Sequence, residues 1–172
     1  MDYLAEQERD VLATLRAHLE MWDGRLGNVM ATSHRIYTTP GARPVHTHPY
    51  REGPCAREVE REEIERMLAQ GVIEPATSEW ASPIGLVPIS DGSLRFCVDY
   101  RRLNAITIPD TYPLLRMDDC IDSLGDAAVF TTLYCKSGYR QIPVHPRDRD
   151  KTTFTSHCGI YQFRRLPFGF RC

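Results

Sequence analysis

Apolar positions fall at helical spacing over residues 5–22, where Val11, Leu12, Leu15, Leu19 and Trp22 share one side and predict an amphipathic helix. Over residues 24–54 that pattern dissolves into glycines and prolines among polar residues, with one short β-like run at 33–38, so an extended arm is expected. Pro54 then opens a second helix, because a proline at the first helical position lacks only an N–H that would have had no partner. Val59, Ile64, Met67 and Leu68 form its inward stripe and Gly71 ends it. Glu58, Glu62 and Arg66 are i,i+4 neighbours on the outer side, which reads as a solvated face.

The rest of the chain reads mainly as strands and turns. Residues 84–89 are β-rich, Ser90-Asp91-Gly92-Ser93 is a turn, and 94–100 returns, which predicts a hairpin. Pro83 and Pro88 bracket its first strand and suggest a sheet edge. Residues 113–124 read as a proline-led turn into a short helix carrying Met117, Cys120, Ile121 and Leu124, stopped by Gly125. Residues 129–133, with threonine at alternate positions, predict a strand, and 152–156 with 160–165 a second hairpin turning at His157-Cys158-Gly159. Helices mixed with antiparallel hairpins indicate the α+β class. No internal repeat is visible.

Composition changes this picture little. A chain of 172 residues suits one domain with an arm, and at that size roughly 70% of the unfolded surface can be buried. Its 42% hydrophobic and 26% charged residues are ordinary for a soluble protein, and a net charge of −2 gives no nucleic-acid signal for the chain as a whole. The charge is uneven, however. From Ser137 onward Arg140, Arg147, Arg149, Lys151, Arg164, Arg165 and Arg171 face only Asp148 and Asp150, a balance that suits phosphate contact or a solvated rim equally well.

The six cysteines form no C-x-x-C pair and suit neither zinc nor a disulfide framework, so they read as reduced intracellular thiols. His46 and His48, with no cysteine or carboxylate cluster nearby, read as loop histidines. No uncharged apolar run reaches the roughly 18 residues of a membrane span, and no signal peptide opens the chain, so nucleus or cytoplasm is expected.

Three segments then carry a resemblance. Trp80-Ala81-Ser82-Pro83 leads into the first hairpin, LRFCVDYRRLN fills residues 94–104, and the last part runs from Ser137-Gly138-Tyr139-Arg140-Gln141-Ile142 to Leu166-Pro167-Phe168-Gly169. In this order and spacing they resemble the fingers and early palm of gypsy-type LTR-retrotransposon reverse transcriptases, over about residues 33–172. The resemblance implies an N-terminal helix and arm over 1–54, a fingers-like region over 55–127 and a truncated palm-like region over 128–172. It implies descent from a magnesium-dependent, RNA-directed DNA polymerase that works on a template-primer and deoxynucleotides.

By the same resemblance Arg95 matches the arginine that grips the incoming triphosphate, as a guanidinium fork suits phosphate oxygens. Tyr139 matches the aromatic beneath the sugar, Gln141 follows it, and Phe168 and Gly169 match the loop packed against nucleotide and template. Read as residues alone, Arg95 is a hairpin surface arginine, and Tyr139 and Phe168 are core aromatics. Asp99 and Arg101 read as a structural ion pair. The acidic Asp118, Asp119 and Asp122 read as a solvated helix face.

One position departs from the pattern. Leu133 is followed by Tyr134, where the family places its first metal-binding aspartate, and the Tyr-x-Asp-Asp hairpin with the other two carboxylates is expected beyond Cys172. Two-metal phosphoryl transfer needs those carboxylates. The expectation is therefore a catalytically inactive fragment with no cofactor of its own. It would bind nucleic acid weakly through Arg140, Arg147, Arg149, Lys151, Arg164 and Arg165, or else serve as a non-enzymatic binding module or stand as a relic.

Overall fold

A computed structural model describes the chain except at Met1, residues 19–23, Asp91, Leu114, Asp126, Ala128, Val129, Thr131, Leu133 and Cys172, and describes residues 2–7 by backbone alone. Five short strands are present: β1 (Ile73–Pro75), β2 (Ser82–Pro88), β3 (Leu94–Val98), β4 (Phe154–Ser156) and β5 (Gly159–Phe163). The two predicted hairpins, β2–β3 and β4–β5, merge into one sheet in the order β1-β5-β4-β2-β3. All neighbours pair antiparallel except β2 and β4, which run parallel. The mixed helix-and-sheet architecture agrees with the α+β reading.

The edge position predicted for β2 needs correction, because β2 lies between β4 and β3. Its prolines are tolerated there because the strand changes partner midway. Ser82 and Pro83 pair with β4, whereas Ile84 to Pro88 pair with β3. Pro83 still serves the β3 side through its carbonyl, which accepts from Asp99 N at 2.9 Å, a bond that needs no proline N–H.

Helix α1 (Asp2–Ala17) forms where periodicity places it, although the expected Leu19 and Trp22 lie outside the described residues. The described part of its apolar stripe does not enter the core: Val11, Leu12 and Leu15 are exposed. Helix α2 (Pro54–Ala69) starts at its proline and ends before Gly71, whose φ of 65° is a left-handed conformation that glycine adopts without a Cβ clash. It buries Ile64 and Met67 as expected, and also Glu60, which the pattern did not single out.

Phe154 is the centre of the main core. It is fully buried, with its ring 5.2 Å from Phe163, 5.8 Å from Phe96 and 5.9 Å from Tyr161, beneath Ile64, Met67 and Val72. A second cluster joins Trp80, Tyr100 and Leu103. The Tyr100 hydroxyl donates to the Thr152 carbonyl at 2.8 Å, and burial pushes its phenol well above the ordinary tyrosine range.

Residues 94–100 were expected to be all strand, but β3 stops at Val98 and a helix, α3 (Arg101–Ile106), follows. The switch comes from Asp99. Its carboxylate accepts the Arg101 backbone N–H at 3.1 Å and the Arg101 Nη2 at 2.6 Å, which turns the chain into the helix. The predicted ion pair is therefore present, and it spans a turn rather than one strand face.

Helix α4 (Met117–Asp122) forms as predicted, yet Met117, Ile121 and Leu124 are exposed. The strand predicted over 129–133 falls largely outside the described residues; Phe130 and Thr132, which are described, belong to no strand.

The arm of residues 24–54 is mostly extended and is fixed by the C-terminal half. His34 N donates to the Pro143 carbonyl at 2.8 Å, and His145 N donates to the His34 carbonyl at 2.9 Å. A 3-10 segment, Pro146–Thr152, completes the anchor. Its buried Asp148 accepts from Arg35 Nε at 2.6 Å and Lys151 Nζ at 2.8 Å, and Lys151 also donates to the Ile36 carbonyl at 2.7 Å.

Candidate functional site

Four residues singled out by the sequence meet around one open cavity of about 730 Å³: Arg95 from β3, Tyr134, Arg140 and Phe168. Each reaches it for a local reason. Arg95 pairs in register with Val87, so its side chain leaves the sheet on an exposed face. Arg140 belongs to a 3-10 turn, Gly138–Gln141, launched by Ser137 at a φ of 50°, a left-handed conformation uncommon for a residue with a Cβ. Phe168 precedes Gly169, whose φ of 79° again requires the left-handed region.

Tyr139 does not line the cavity but packs edge-on against Phe168, with centroids 5.3 Å apart and an interplanar angle of 68°, an arrangement that suits two aromatic quadrupoles. Both rings are about half exposed and are not core aromatics. Gly169 is held by Asn104, whose side-chain amide donates to its carbonyl at 2.8 Å.

Gln141 is turned elsewhere. Its Nε2 donates to the Lys136 carbonyl at 2.9 Å, and its backbone carbonyl accepts from Val29 N at 2.8 Å. Gly27 makes room for it, since a Cβ there would stand 2.8 Å from Gln141 Oε1. Gln141 thus fastens the arm to the palm-like segment.

The basic residues divide into two sets. Arg140 lies against Glu63 at 3.3 Å, Arg149 against Glu74 at 3.4 Å, and Lys151 against Asp148 at 2.8 Å; all three are largely buried. Arg165 donates to Asn28 and to the Gln141 carbonyl. Arg147 is exposed, and Arg164 is half exposed beside Glu74 at 3.5 Å. The Arg140 and Arg149 pairs were not visible in the sequence because their carboxylate partners, Glu63 and Glu74, lie 77 and 75 residues away.

Acidic groups near the cavity are Glu62 and Glu63, and Glu63 is already bound by Arg66 and Arg140. Tyr134, 96% exposed, contributes a phenol. Magnesium prefers hard oxygen ligands, chiefly carboxylates. Among the described residues no three His, Cys, Asp or Glu side chains converge on a point that could hold a metal. Among the described residues the donors at this cavity do not fit a pair of magnesium ions. Nor is any described helix long and apolar enough to cross a membrane.

Comparison with known proteins agrees with this geometry. A family described as reverse transcriptase (RNA-dependent DNA polymerase) matches residues 87–172. The retrovirus-related Pol polyprotein from transposon 297 of Drosophila melanogaster is 34% identical over 99% of this chain and 17% of its own length. The Pol polyprotein from transposon gypsy of the same species is 37% identical over 74% of the chain and 13% of its own. The chain therefore spans under a fifth of either relative.

Among solved structures, prototype foamy virus protease-reverse transcriptase superposes with a TM-score of 0.69 at 26% identity, over 96% of this chain and 23% of that one. The foamy viral enzyme in complex with an RNA/DNA hybrid gives 0.73 at 22% identity over 96% and 22%, a likeness of fold. With the Arg95–Phe168 cavity, the Tyr139–Phe168 pair and the five-stranded sheet in place, the chain belongs to the reverse transcriptase family and is a reverse-transcriptase-like segment of a retrotransposon pol gene.

Proposed function

We propose that this 172-residue segment does not polymerise DNA by itself, and that its remaining activity is weak, sequence-independent contact with nucleic acid. The observation that carries the first part is Tyr134. It lines the cavity where, by the family pattern, a metal-binding aspartate precedes Ser-Gly-Tyr, and a phenol is not the carboxylate that magnesium prefers. Metal clamping supplies several kcal/mol of transition-state stabilisation, and each 1.36 kcal/mol is tenfold in rate. Replacing a carboxylate ligand by a phenol weakens that clamp. In the intact family the partners are an RNA or DNA template-primer and deoxynucleotides. By the family resemblance Arg95, Tyr139 and Phe168 are the residues that would face them.

The second part is supported by Arg147 and Arg164, which leave guanidinium groups at the surface. Primer extension on poly-rA/oligo-dT with magnesium or manganese tests the proposal. No incorporation above a heat-inactivated control is expected, and Tyr134→Asp alone should not restore it, because one carboxylate cannot hold two ions. Clear incorporation by the unmodified chain would overturn it.

A further inference from the structure

The β4–β5 turn holds an arrangement unrelated to the polymerase cavity, none of whose lining residues it shares. Cys158 is exposed, and its Sγ lies 3.2 Å from Nε2 of His157. The other ring nitrogen, His157 Nδ1, lies 2.8 Å from Oε2 of Glu60. Oε1 of Glu60 accepts the His157 backbone N–H at 3.2 Å, so the carboxylate is held at both oxygens. Glu60 is 4% exposed, on the inward side of α2.

Two supports fix the thiol beside the ring. Cys158 N donates to Ser156 Oγ at 3.0 Å, and the Tyr161 hydroxyl donates to the Cys158 carbonyl at 3.4 Å. Gly159 closes the turn at a φ of 142°, a backbone conformation that favours glycine.

The order of these contacts assigns the proton positions. A carboxylate only accepts, so Nδ1 carries the hydrogen and Nε2 presents its lone pair to the thiol. Glu52 stands next in line. Burial, followed by the proximity of Glu60, raises its carboxyl above the ordinary glutamate range. Groups facing His157 and Glu60 are thus Glu52, with Arg57 acting on Glu52, and Tyr161 on the far side of Cys158. A cavity of about 230 Å³ beside His157 is lined by Arg51 and Arg57 together with Glu52 and Glu60, and gives a small reagent room to approach.

The geometry points to Cys158 as a nucleophilic modification site for small disulfides of the glutathione type, with His157 as its proton acceptor and Glu60 as the residue that positions His157. The thiol passes its proton to Nε2. The resulting thiolate attacks one sulfur of the reagent disulfide, so a new S–S bond forms as the old one breaks, and the second half leaves as a thiolate. No outside oxidant is consumed, because the reagent disulfide is itself the oxidised partner. Among the described residues the other cysteines lack an imidazole on sulfur. Cys55, Cys120 and Cys135 are nevertheless exposed and serve as controls within the same molecule.

The test is competitive labelling of the whole folded chain with oxidised glutathione at pH 6, read by peptide mass spectrometry for each cysteine. At that pH an ordinary thiol with a pKa near 8.5 is about 0.3% thiolate. A thiol relieved of its proton should react roughly fivefold faster, after allowance for the weaker nucleophilicity of an easily ionised sulfur. The advantage should vanish in His157→Gln and in concentrated urea. Glu60→Gln, which keeps the acceptor for the backbone N–H, should lower the Cys158 rate while leaving Cys120 unchanged. Equal rates at Cys158, Cys120 and Cys55, or an unchanged Cys158 rate in His157→Gln, would overturn the assignment.

Discussion

Arg140 Nη2 lies 3.3 Å from Glu63 Oε1, with the two side chains only 15% and 14% exposed. This pair joins α2 to the palm-like segment, so a residue that reads as a phosphate contact in sequence acts here as a structural tie. Glu63 also holds Arg66. Glu63→Gln should therefore leave Arg140 buried without its counter-charge and cost about 3 kcal/mol. Arg140→Met keeps the stem's packing and leaves Glu63 paired with Arg66, and should cost less than half as much. Urea denaturation measures both, and equal losses would contradict the shared-carboxylate arrangement.

The basic residues should separate in an alanine series. Arg147→Ala and Arg164→Ala are expected to weaken nucleic-acid binding and reduce its salt dependence, since each phosphate contact contributes about 0.9 to the logarithmic salt slope on duplex DNA. Arg149→Ala and Lys151→Ala should instead lower stability, because their partners Glu74 and Asp148 lose a near neighbour. Fluorescence anisotropy between roughly 50 and 200 mM salt, beside thermal melts, distinguishes the two outcomes. Binding that is flat across that range would remove the electrostatic reading.

Asp148 should make stability sensitive to acid. Burial alone would raise its carboxyl, but hydrogen bonds from Lys151 and Arg35 and from the Ile36 backbone outweigh burial, and the group lies below the ordinary aspartate range. A folded pKa below the unfolded one means that the unfolded chain binds the proton first. The contribution is complete above the unfolded value near 3.9 and fades as pH falls through the lower folded value. Asp148→Asn should be less stable at neutral pH and show a flatter loss below about pH 4. Parallel acid dependence in both proteins would show that other carboxylates carry the effect.

Leu115, Met117, Ile121, Phe130 and Tyr134 are exposed at 83%, 79%, 60%, 62% and 96%, which leaves apolar surface on α4 and on either side of it. Patches of this kind favour association. The isolated chain is expected to bind hydrophobic dye and to elute broadly or early in size-exclusion chromatography. Phe130→Ser with Leu115→Ser should reduce both signals. A sharp monomer peak without dye binding would show that these side chains are covered in solution.

Much of this architecture is determined locally. Helix α2 follows from Pro54, the Ile64–Met67 spacing and Gly71, and both hairpins follow from β-rich runs around Asp91-Gly92 and His157-Cys158-Gly159. The family, too, was legible, because its segments keep their order and spacing. Helix α3 was missed because Asp99 competes for the backbone with a side-chain hydrogen bond that no alternation of apolar residues records. The parallel β2–β4 pairing, the burial of Glu60 beside His157, and the capture of Arg140 by Glu63 and Arg149 by Glu74 belong to the tertiary structure. Periodicity reports which face of an element is apolar over neighbouring residues. Which charge meets which carboxylate across more than seventy residues depends on how the sheet brings distant segments together, and only the folded chain decides that.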